Sequence, residues 1–351
     1  MKILFYCDWF KDYTSSLASS LVSLSDEVTI ILRNDSPEFN LRRKDEHILH
    51  ETLLKNKVNI FFLKGKYSSF KSIFSIFKFY QNKKKEGYNC FHIQQTGDPR
   101  FIWIALKMHT VLTLHEPKAR KGVVRANGFI KSILSNIVER IYRLFSNKII
   151  VHTEGCLIGL SNREKRKTVV IPHGVNLLSD TQKIDSNTIL FFGRATAYKG
   201  LDTLISAMQI VWNTNPDVKL RILASPGDYL INENLDSRII ASWDGYSNSQ
   251  LENELLNAKI VCMPYISVTG SGVGAQAYGA GKTIVASNLD GLRELVSNSN
   301  YLFPPGDEIN LANSLILALK NENNKQDIDI NKTWPKVGET HFKVYQSLLS
   351  S

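Results

Sequence analysis

MKILFYCDWFKDYTSSLASSLVSLSDEVTIILR (residues 1–33) opens with the apolar run KILFYC (2–7) and closes with a second run, EVTIILR (27–33). Each run has the length and apolar content of a buried strand. The segment between them, SLASSLVSL (16–24), predicts a helix. A strand, a helix and a second strand form the unit from which parallel sheets with crossover helices are built. The first 33 residues therefore predict an α/β protein.

The same alternation continues along the chain and restarts after residue 172. Further strands are predicted at 58–63, 89–94, 109–115, 148–153, 169–172, 188–193, 218–224, 259–265 and 283–287. Helices are predicted at 68–86, 128–146, 201–215, 249–258, 272–281 and 333–349. This order predicts two Rossmann-like βαβ domains, the first comprising 1–172 with 335–351 and the second 173–334.

The composition is that of an ordinary globular protein. Of 351 residues, 43% are hydrophobic and 22% charged, which excludes disordered and fibrous classes. The apolar runs are too short to span a bilayer, and Asp8 comes too early for a signal peptide. Four separated cysteines without a CxxC pair argue against a zinc site and a disulfide framework. We therefore expect a cytoplasmic protein.

The charge is unevenly distributed. Residues 1–177 hold 29 lysines and arginines against 15 aspartates and glutamates, a net charge of +14. Residues 178–351 hold 14 against 18, a net charge of −4. A basic first half indicates a polyanionic partner, such as nucleic acid, an anionic membrane or a phosphate-bearing substrate.

TGSGVGAQAYGAGKTIVAS (269–287) follows a predicted strand and contains five glycines within thirteen positions. Backbone amides at the start of the following helix, together with the helix dipole, favour an anion there. The order of Lys282 and the glycines differs from a Walker A loop, and residues 7–14 lack the glycines of a dinucleotide fingerprint. Simple packing of a turn remains an alternative for this loop.

A second segment supports an anion site. FFGRATAYKG (191–200) places Arg194 and Lys199 directly after a predicted strand. Ligands of open α/β sheets bind at the carboxyl edge, where strands end. Two cations there could neutralise a diphosphate, although a single loop cation is more often simply solvated.

Taken together, IPHGV (171–175), GRATAYKG (193–200) and SGVGAQAYGAGKTIVASNLDGLREL (271–295) resemble the signatures of family 4 retaining glycosyltransferases. VLTLHEP (111–117) resembles the strand that leads to the family's active-site histidine. The resemblance covers nearly the whole chain. It implies the GT-B architecture, in which two Rossmann-like domains face each other across a cleft and the C-terminal helix crosses back to the first.

The resemblance also implies roles for individual residues. The diphosphate of a nucleotide-sugar donor would be bound by Arg194, Lys199 and the amides of Ser271, Gly272 and Val273. His115 would contact and orient the donor sugar, and Thr269 and Gly270 would bind the donor sugar or its ribose. In the resemblance the two cations take the place of a divalent metal at the diphosphate, so it implies no metal and no cofactor.

The chain departs from the family pattern in one respect. The family carries two glutamates eight residues apart around the glycine-rich loop, and here these positions are Val268 and Gln276. Gln276 can still accept a hydrogen bond from a ribose hydroxyl through its carbonyl, more weakly than a carboxylate. The identity of the donor sugar is therefore left open.

Retaining members of the family are thought to let the leaving phosphate deprotonate the acceptor hydroxyl. An inverting enzyme would instead need a protein base, for which Asp8, Asp12 and Glu116 are candidates.

The first domain would bind the acceptor. YSSFKSIFSIFKFYQNKKKEG (67–87) mixes aromatic residues with Lys83, Lys84 and Lys85, and a second basic cluster contains Arg120 and Lys121. One interpretation of 67–87 is a core helix with solvated lysines. The other is a helix on an anionic inner-membrane surface, where an acceptor carried on a polyprenyl diphosphate would reside.

These observations predict a retaining glycosyltransferase that moves a hexose-type sugar to a glycan acceptor in bacterial polysaccharide, O-antigen or capsule synthesis, at the cytoplasmic face of the inner membrane. The alternatives are an inactive glycosyltransferase-like binding subunit and a same-fold inverting transferase or sugar-nucleotide epimerase. Nucleic-acid binding is not expected, because the basic half contains no motif that reads bases.

Overall fold

The computed structural model describes residues 1–33, 53–63, 70–117, 129–178, 187–229, 235–268, 270–321 and 326–350. The chain divides into two compact units, Met1–Gly174 with Trp334–Ser351, and Val175–Thr333. Each unit is built around one parallel sheet with its own hydrophobic core.

The first unit contains a seven-stranded sheet in the order β3-β2-β1-β4-β5-β6-β7, with every neighbouring pair parallel. The strands are β1 Lys2–Cys7, β2 Glu27–Arg33, β3 Asn59–Leu63, β4 Tyr88–Gln94, β5 His109–Thr113, β6 Lys148–Val151 and β7 Thr168–Val170. The central strands are buried along most of their length because helices cover both faces of the sheet.

Helices α1 Lys11–Leu21, α2 Phe70–Lys85, α3 Ile102–Lys107, α4 Phe129–Phe145 and α5 Asn162–Lys165 belong to this unit. The two faces have separate cores. One contains Leu17 of α1 and Tyr345 of the C-terminal helix Trp334–Leu349. The other contains Tyr80 of α2, Ile104 of α3 and Tyr142 of α4. The final helix therefore packs on the first unit, as predicted.

The second unit contains a six-stranded parallel sheet in the order β10-β9-β8-β11-β12-β13. Its strands are β8 Thr188–Arg194, β9 Lys219–Ser225, β10 Ile239–Ser242, β11 Ile260–Met263, β12 Thr283–Ser287 and β13 Leu302–Phe303. Its helices are α6 Leu201–Thr214, α7 Asn248–Asn257, α8 Gly272–Gly279, α9 Asp290–Arg293 and α10 Glu308–Lys320. Numbered in chain order, the C-terminal helix Trp334–Leu349 is α11.

The prediction of two Rossmann-like units is confirmed, but several elements were missed. Strands β10 and β13 and helices α5 and α9 were not predicted, because segments of two to four residues are too short to show a periodicity. Helix α3, with six residues, and helix α10, with 13 residues, were also not predicted. Strand β5 ends at Thr113 rather than at residue 115, so His115 lies in the loop beyond the strand. No helix within the described ranges is long and apolar enough to cross a membrane.

Candidate functional site

The carboxyl edge of the second sheet brings two of the predicted donor-site residues, Lys199 and Val273, together beside Gly193. Gly193 lies next to the end of β8 with a φ of 118°, and Lys199 follows in a short turn. A Cβ atom at Gly193 would lie 2.3 Å from Nζ of Lys199 and 3.0 Å from Cγ2 of Val273. The lysine ammonium therefore lies against the backbone of Gly193, beside the first turn of α8.

The Lys199 side chain is held in a restricted position. Only 5% of the residue is exposed, and its ammonium lies 5.1 Å from the centre of the Tyr265 ring. Its backbone turn is joined to the loop after β11, where the amide of Ile266 donates to the carbonyl of Tyr198. A cation positioned in this way can meet a bound anion without losing much side-chain entropy.

Thr196, which the sequence analysis did not identify, belongs to the same turn. Its hydroxyl oxygen is buried and has no hydrogen-bond partner among the described residues. A buried hydroxyl without a partner costs free energy unless a ligand satisfies it. Arg194, by contrast, is exposed at the end of β8.

The first turn of α8 is capped by Ser271, the residue that precedes the helix. The Ser271 hydroxyl accepts a hydrogen bond from the amide of Gly274 at 3.0 Å, which leaves the helix-opening amides of Gly272 and Val273 directed away from the helix. Gly270 borders open space, and Gln276 is exposed on the helix. Thr269 lies outside the described residues.

Val268, at the position of the family's first glutamate, is half-buried and packs against the core of the second unit. An apolar side chain in that environment does not offer the hydrogen bonds that a carboxylate would.

We expect Gly193→Ala to lower both stability and nucleotide binding. The positive φ disfavours any side chain by about 1–3 kcal/mol, and the new Cβ displaces the Lys199 ammonium. Thermal unfolding and nucleotide titration measure the two effects. Gly87→Ala is the matched control, because Gly87 has a φ of 90° but open space around its Cβ position. Unaltered nucleotide binding by Gly193→Ala would contradict the position assigned to Lys199.

In the first unit, His115 is part of a buried cluster. Tyr13 of α1 lies at its centre, with ring centroids 4.9 Å from His115, 5.0 Å from His152 and 5.1 Å from His173. Phe10 stacks on His115 at 3.6 Å and has a left-handed backbone with a φ of 66°. A non-glycine residue in that conformation is held there by its surroundings.

The hydrogen bonds of the cluster define the tautomer of His115. The side-chain oxygen of Gln94 lies 2.9 Å from Nε2 of His115. Nδ1 of His115 lies 3.1 Å from Nε2 of His152, and Nδ1 of His152 lies 3.1 Å from the carbonyl oxygen of Ile171. If the oxygens of Gln94 and Ile171 both accepted, these three hydrogen bonds would require three ring protons, whereas two neutral imidazoles carry only two. Because burial lowers the pKa of both rings, to about 3 for His152, the pair is neutral.

It follows that the Gln94 amide turns its NH₂ group towards His115. That group has no other partner among the described residues, and rotation of the amide by 180° lets it donate to Nε2. His115 then donates from Nδ1 and accepts at Nε2. His152 is a positioning residue, since its bond to Ile171 decides which nitrogen of His115 carries the proton.

Acid is expected to destabilise the first unit. Burial lowers the pKa of His152 to about 3 and of His341 to about 4, whereas both rings take up protons near pH 6.5 when the chain is unfolded. Below pH 6.5 the unfolded state therefore binds more protons than the folded state, so the unfolding free energy decreases as the pH is lowered. These two residues alone should remove about 2 kcal/mol of unfolding free energy between pH 6 and pH 5.

Urea unfolding at several pH values measures this slope. His341→Gln should reduce it, whereas His109→Gln, which alters an exposed histidine, should leave it unchanged. A stability that does not vary between pH 6 and pH 5 would contradict the neutral cluster.

The remaining predicted residues have separate environments. Lys84 and Lys85 are exposed at the end of α2, and Lys83 pairs with Glu86 at 2.7 Å. Arg120 and Lys121 lie outside the described residues.

Of the three candidate bases, Asp12 is exposed, and Asp8 is buried and accepts a hydrogen bond from Thr96 at 2.8 Å. The amide of Glu116 donates to the Gln95 side chain.

Sequence reasoning identified His115 but not the residues around it. His152 directly follows β6 in KIIVHT (148–153), and His173 lies three residues after β7 in IPHGV (171–175), so both lie at the same sheet edge as His115. Polar residues that follow successive parallel strands were the available signal. Within the described parts of the chain, no group of three His, Cys, Asp or Glu side chains is arranged to hold a metal ion.

Two family models match the sequence. That of "Glycosyl transferases group 1" matches residues 179–333, and that of "Glycosyltransferase Family 4" matches residues 12–177. No curated protein sequence matches the chain.

Several solved structures have the same fold along the whole chain. A glycosyltransferase of Rickettsia africae ESF-5 is 16% identical with a TM-score of 0.71, covering 99% of this chain and 98% of that one. Anabaena HepE in complex with UDP and glucose is 15% identical with a TM-score of 0.72, covering 99% and 100%. Sucrose-phosphate synthase from Thermosynechococcus elongatus is 17% identical with a TM-score of 0.70, covering 100% and 99%. At these identities the likeness concerns the fold.

Proposed function

The chain belongs to family 4 of the glycosyltransferases, and we propose that it transfers a hexose-type sugar from a nucleoside-diphosphate donor to a hydroxyl group of a glycan acceptor, with retention of configuration. The observation that carries the proposal is the meeting of Lys199, Gly193 and Val273 at the carboxyl edge of the second sheet. The presence of UDP and glucose in the HepE structure supports a nucleotide-sugar donor.

In this proposal the diphosphate lies against the Lys199 ammonium and the amides of Gly272 and Val273, with Arg194 at the exposed side. The buried hydroxyl of Thr196 gains a phosphate oxygen as its partner. Donors that are already in place favour the charge that develops as the nucleoside diphosphate leaves. Lys199 and Arg194 would stabilise this charge in place of a metal ion. Gln276 accepts from the ribose, and His115, Thr269 and Gly270 contact the sugar.

Bond changes in the retaining reaction occur on one face of the sugar. The bond from the anomeric carbon to the phosphate oxygen breaks, and the acceptor oxygen bonds to the same carbon. The acceptor proton moves to the departing phosphate oxygen, so no protein base is required. Inversion would instead need one of the carboxylates Asp8, Asp12 or Glu116 as the base.

The acceptor is proposed to be carried on a polyprenyl diphosphate at the cytoplasmic face of the inner membrane, in polysaccharide, O-antigen or capsule synthesis. The net charge of +14 in residues 1–177 supports a phosphate-bearing acceptor and peripheral membrane association. Lys83, Lys84, Lys85, Arg120 and Lys121 would contribute to this attraction.

The experiment that tests the proposal is binding and slow hydrolysis of nucleotide sugars carrying UDP, GDP, ADP, TDP or CMP, with a chelator present. One donor that binds and is hydrolysed without metal would support the proposal and name the donor. No binding by any of them would favour the inactive-subunit alternative.

His115→Ala is expected to lower turnover by about 100-fold while nucleotide affinity changes little, because the residue orients the sugar and not the diphosphate. Single-turnover rates and nucleotide titration separate the two quantities. Lys55→Ala, at an exposed residue of the same unit, is the control. An equal loss of binding and turnover would make His115 a structural residue.

A further inference from the structure

Three neighbouring helices of the first unit carry a large apolar surface that no other described part of the chain covers. We define the α2–α3–α4 face by six of its exposed members, Phe74, Phe77, Trp103, Leu106, Ile137 and Phe145. Phe74 is 70% exposed and Trp103 is 48% exposed. The rings of Phe77 and Trp103 lie 6.4 Å apart, and α3 packs against α4, so the surface is continuous.

These side chains are not the core side of their helices. The residues that pack in the core are Ile76 and Tyr80 on α2, and Val138 and Tyr142 on α4. The same helices therefore carry a second apolar stripe that faces away from the sheet. Contiguous exposed apolar surface of this kind marks an interaction site in a folded protein.

The charges around the face are predominantly positive. Lys78 and Lys85 of α2 and Arg140 of α4 are exposed, and the helical spacing places each on the same side as the exposed apolar residues. The sequences of the three helices contain a single acidic residue, Glu139, which pairs with Arg143 at 2.5 Å. A second copy of this chain would present the same positive charge and be repelled, whereas an anionic lipid surface would be attracted.

A cavity of about 410 Å³ opens beside the face at the amino ends of β4 and β5. Lys84, Lys107 and His109 contribute its basic groups, and Tyr80, Leu106 and Phe145 contribute its walls. Leu106 and Phe145 belong to both the cavity and the α2–α3–α4 face. Basic groups bordered by apolar walls that continue onto an apolar surface match a phosphate headgroup attached to acyl chains.

We propose that the α2–α3–α4 face docks on an anionic bilayer, with its aromatic side chains at the level of the acyl chains and the phosphate of an anionic phospholipid in the cavity between Lys84, Lys107 and His109. This inference makes the proposed membrane association specific, and it does not depend on the donor or on the stereochemistry of transfer.

The test is binding to vesicles of phosphatidylcholine alone or mixed with phosphatidylglycerol, measured by flotation at low and high salt. The native chain should bind only the mixed vesicles, and added salt should weaken the binding. Lys84→Glu/Lys107→Glu should lower the partition coefficient at least about tenfold, because each basic residue near an anionic surface contributes about 1 kcal/mol. Lys219→Glu, at an exposed lysine of the second unit, is the matched control.

Insertion is separated from simple electrostatic adsorption by Trp103. Phospholipids brominated in the acyl chain should quench its fluorescence, and Trp103→Phe should abolish that component. Phe74→Ser/Phe77→Ser should also lower the partition coefficient at least about tenfold. Ile309→Ser, at an exposed isoleucine of the second unit, should leave it unchanged. Circular dichroism melting verifies that every variant is folded.

Three results would overturn the proposal: no binding to mixed vesicles, binding insensitive to the Phe74 and Phe77 substitutions, or a dimer that those substitutions dissociate. Nucleotide binding without vesicles is measured on the same preparation. A chain that binds a nucleotide but no vesicle contradicts the docking face alone. A chain that binds vesicles but no nucleotide contradicts the donor site alone.

Discussion

Lys199→Ala is expected to weaken nucleoside-diphosphate binding by about 100-fold, which corresponds to about 3 kcal/mol. The ammonium is buried against Gly193, so its attraction to a phosphate is less screened by water than that of a surface charge. Turnover should fall further, by about 1000-fold, because the negative charge on the leaving phosphate grows in the transition state. Isothermal titration and donor hydrolysis measure the two losses.

A smaller effect than that of Lys199→Ala is expected at the exposed Arg194. Since water screens the charge of its side chain, Arg194→Ala should weaken nucleoside-diphosphate binding only about tenfold. Lys219→Ala, at the opposite end of a strand in the same sheet, controls for a general loss of positive charge. Nucleotide affinity that survives Lys199→Ala would refute the diphosphate site and, with it, the proposed donor class.

Arg100→Met is expected to lower the unfolding free energy of the first unit by about 3–5 kcal/mol. Arg100 and Asp98 have fully buried side chains and form an ion pair of 2.6 Å in the loop after β4. The guanidinium also donates to Ser72 of α2 at 2.7 Å, and Tyr6 of β1 donates to Asp98 at 2.6 Å. Removing the arginine leaves a buried carboxylate without its countercharge, which is the source of the large cost.

Urea unfolding of the first unit measures this effect. Lys336→Met removes an exposed pair with Glu339 in the same unit and should cost less than about 1 kcal/mol. Adding Asp98→Asn to Arg100→Met should recover part of the loss, because the unpaired charge is then gone. If the double variant is no more stable than Arg100→Met, the cost arises from packing and not from the buried charge.

Both sheets could be predicted from the sequence because parallel strands covered on two faces are continuous apolar runs. KILFYC (2–7) and TILFFG (188–193) are such runs, and they became β1 and most of β8. The proposed diphosphate residues lie near the end of a strand, and the carboxyl ends of parallel strands meet at one edge. Arg194 is the last residue of β8, and Lys199 lies five residues further along the chain.

Helix α4 shows where periodicity is not enough. Ile133, Ile137 and Leu144 recur with helical spacing, yet all three are exposed, while Val138 and Tyr142 are buried. Apolar residues on either side of a helix recur with the same period of 3.6 residues, so the period alone does not identify the buried side. Which side faces the sheet depends on the shape of the neighbouring strands and helices, and no local pattern encodes that choice.

The sequence by itself determined the order of strands and helices, the two parallel sheets and the positions along the chain of Arg194, Lys199 and His115, because these depend on apolar periodicity and on neighbours in the chain. Tertiary structure alone decided that Lys199 lies against Gly193, that Gln94 and His152 set the tautomer of His115, and that α2, α3 and α4 share an uncovered apolar face. Each of these features joins residues far apart in sequence, and distance, burial and proton count become defined only when the strands and helices pack.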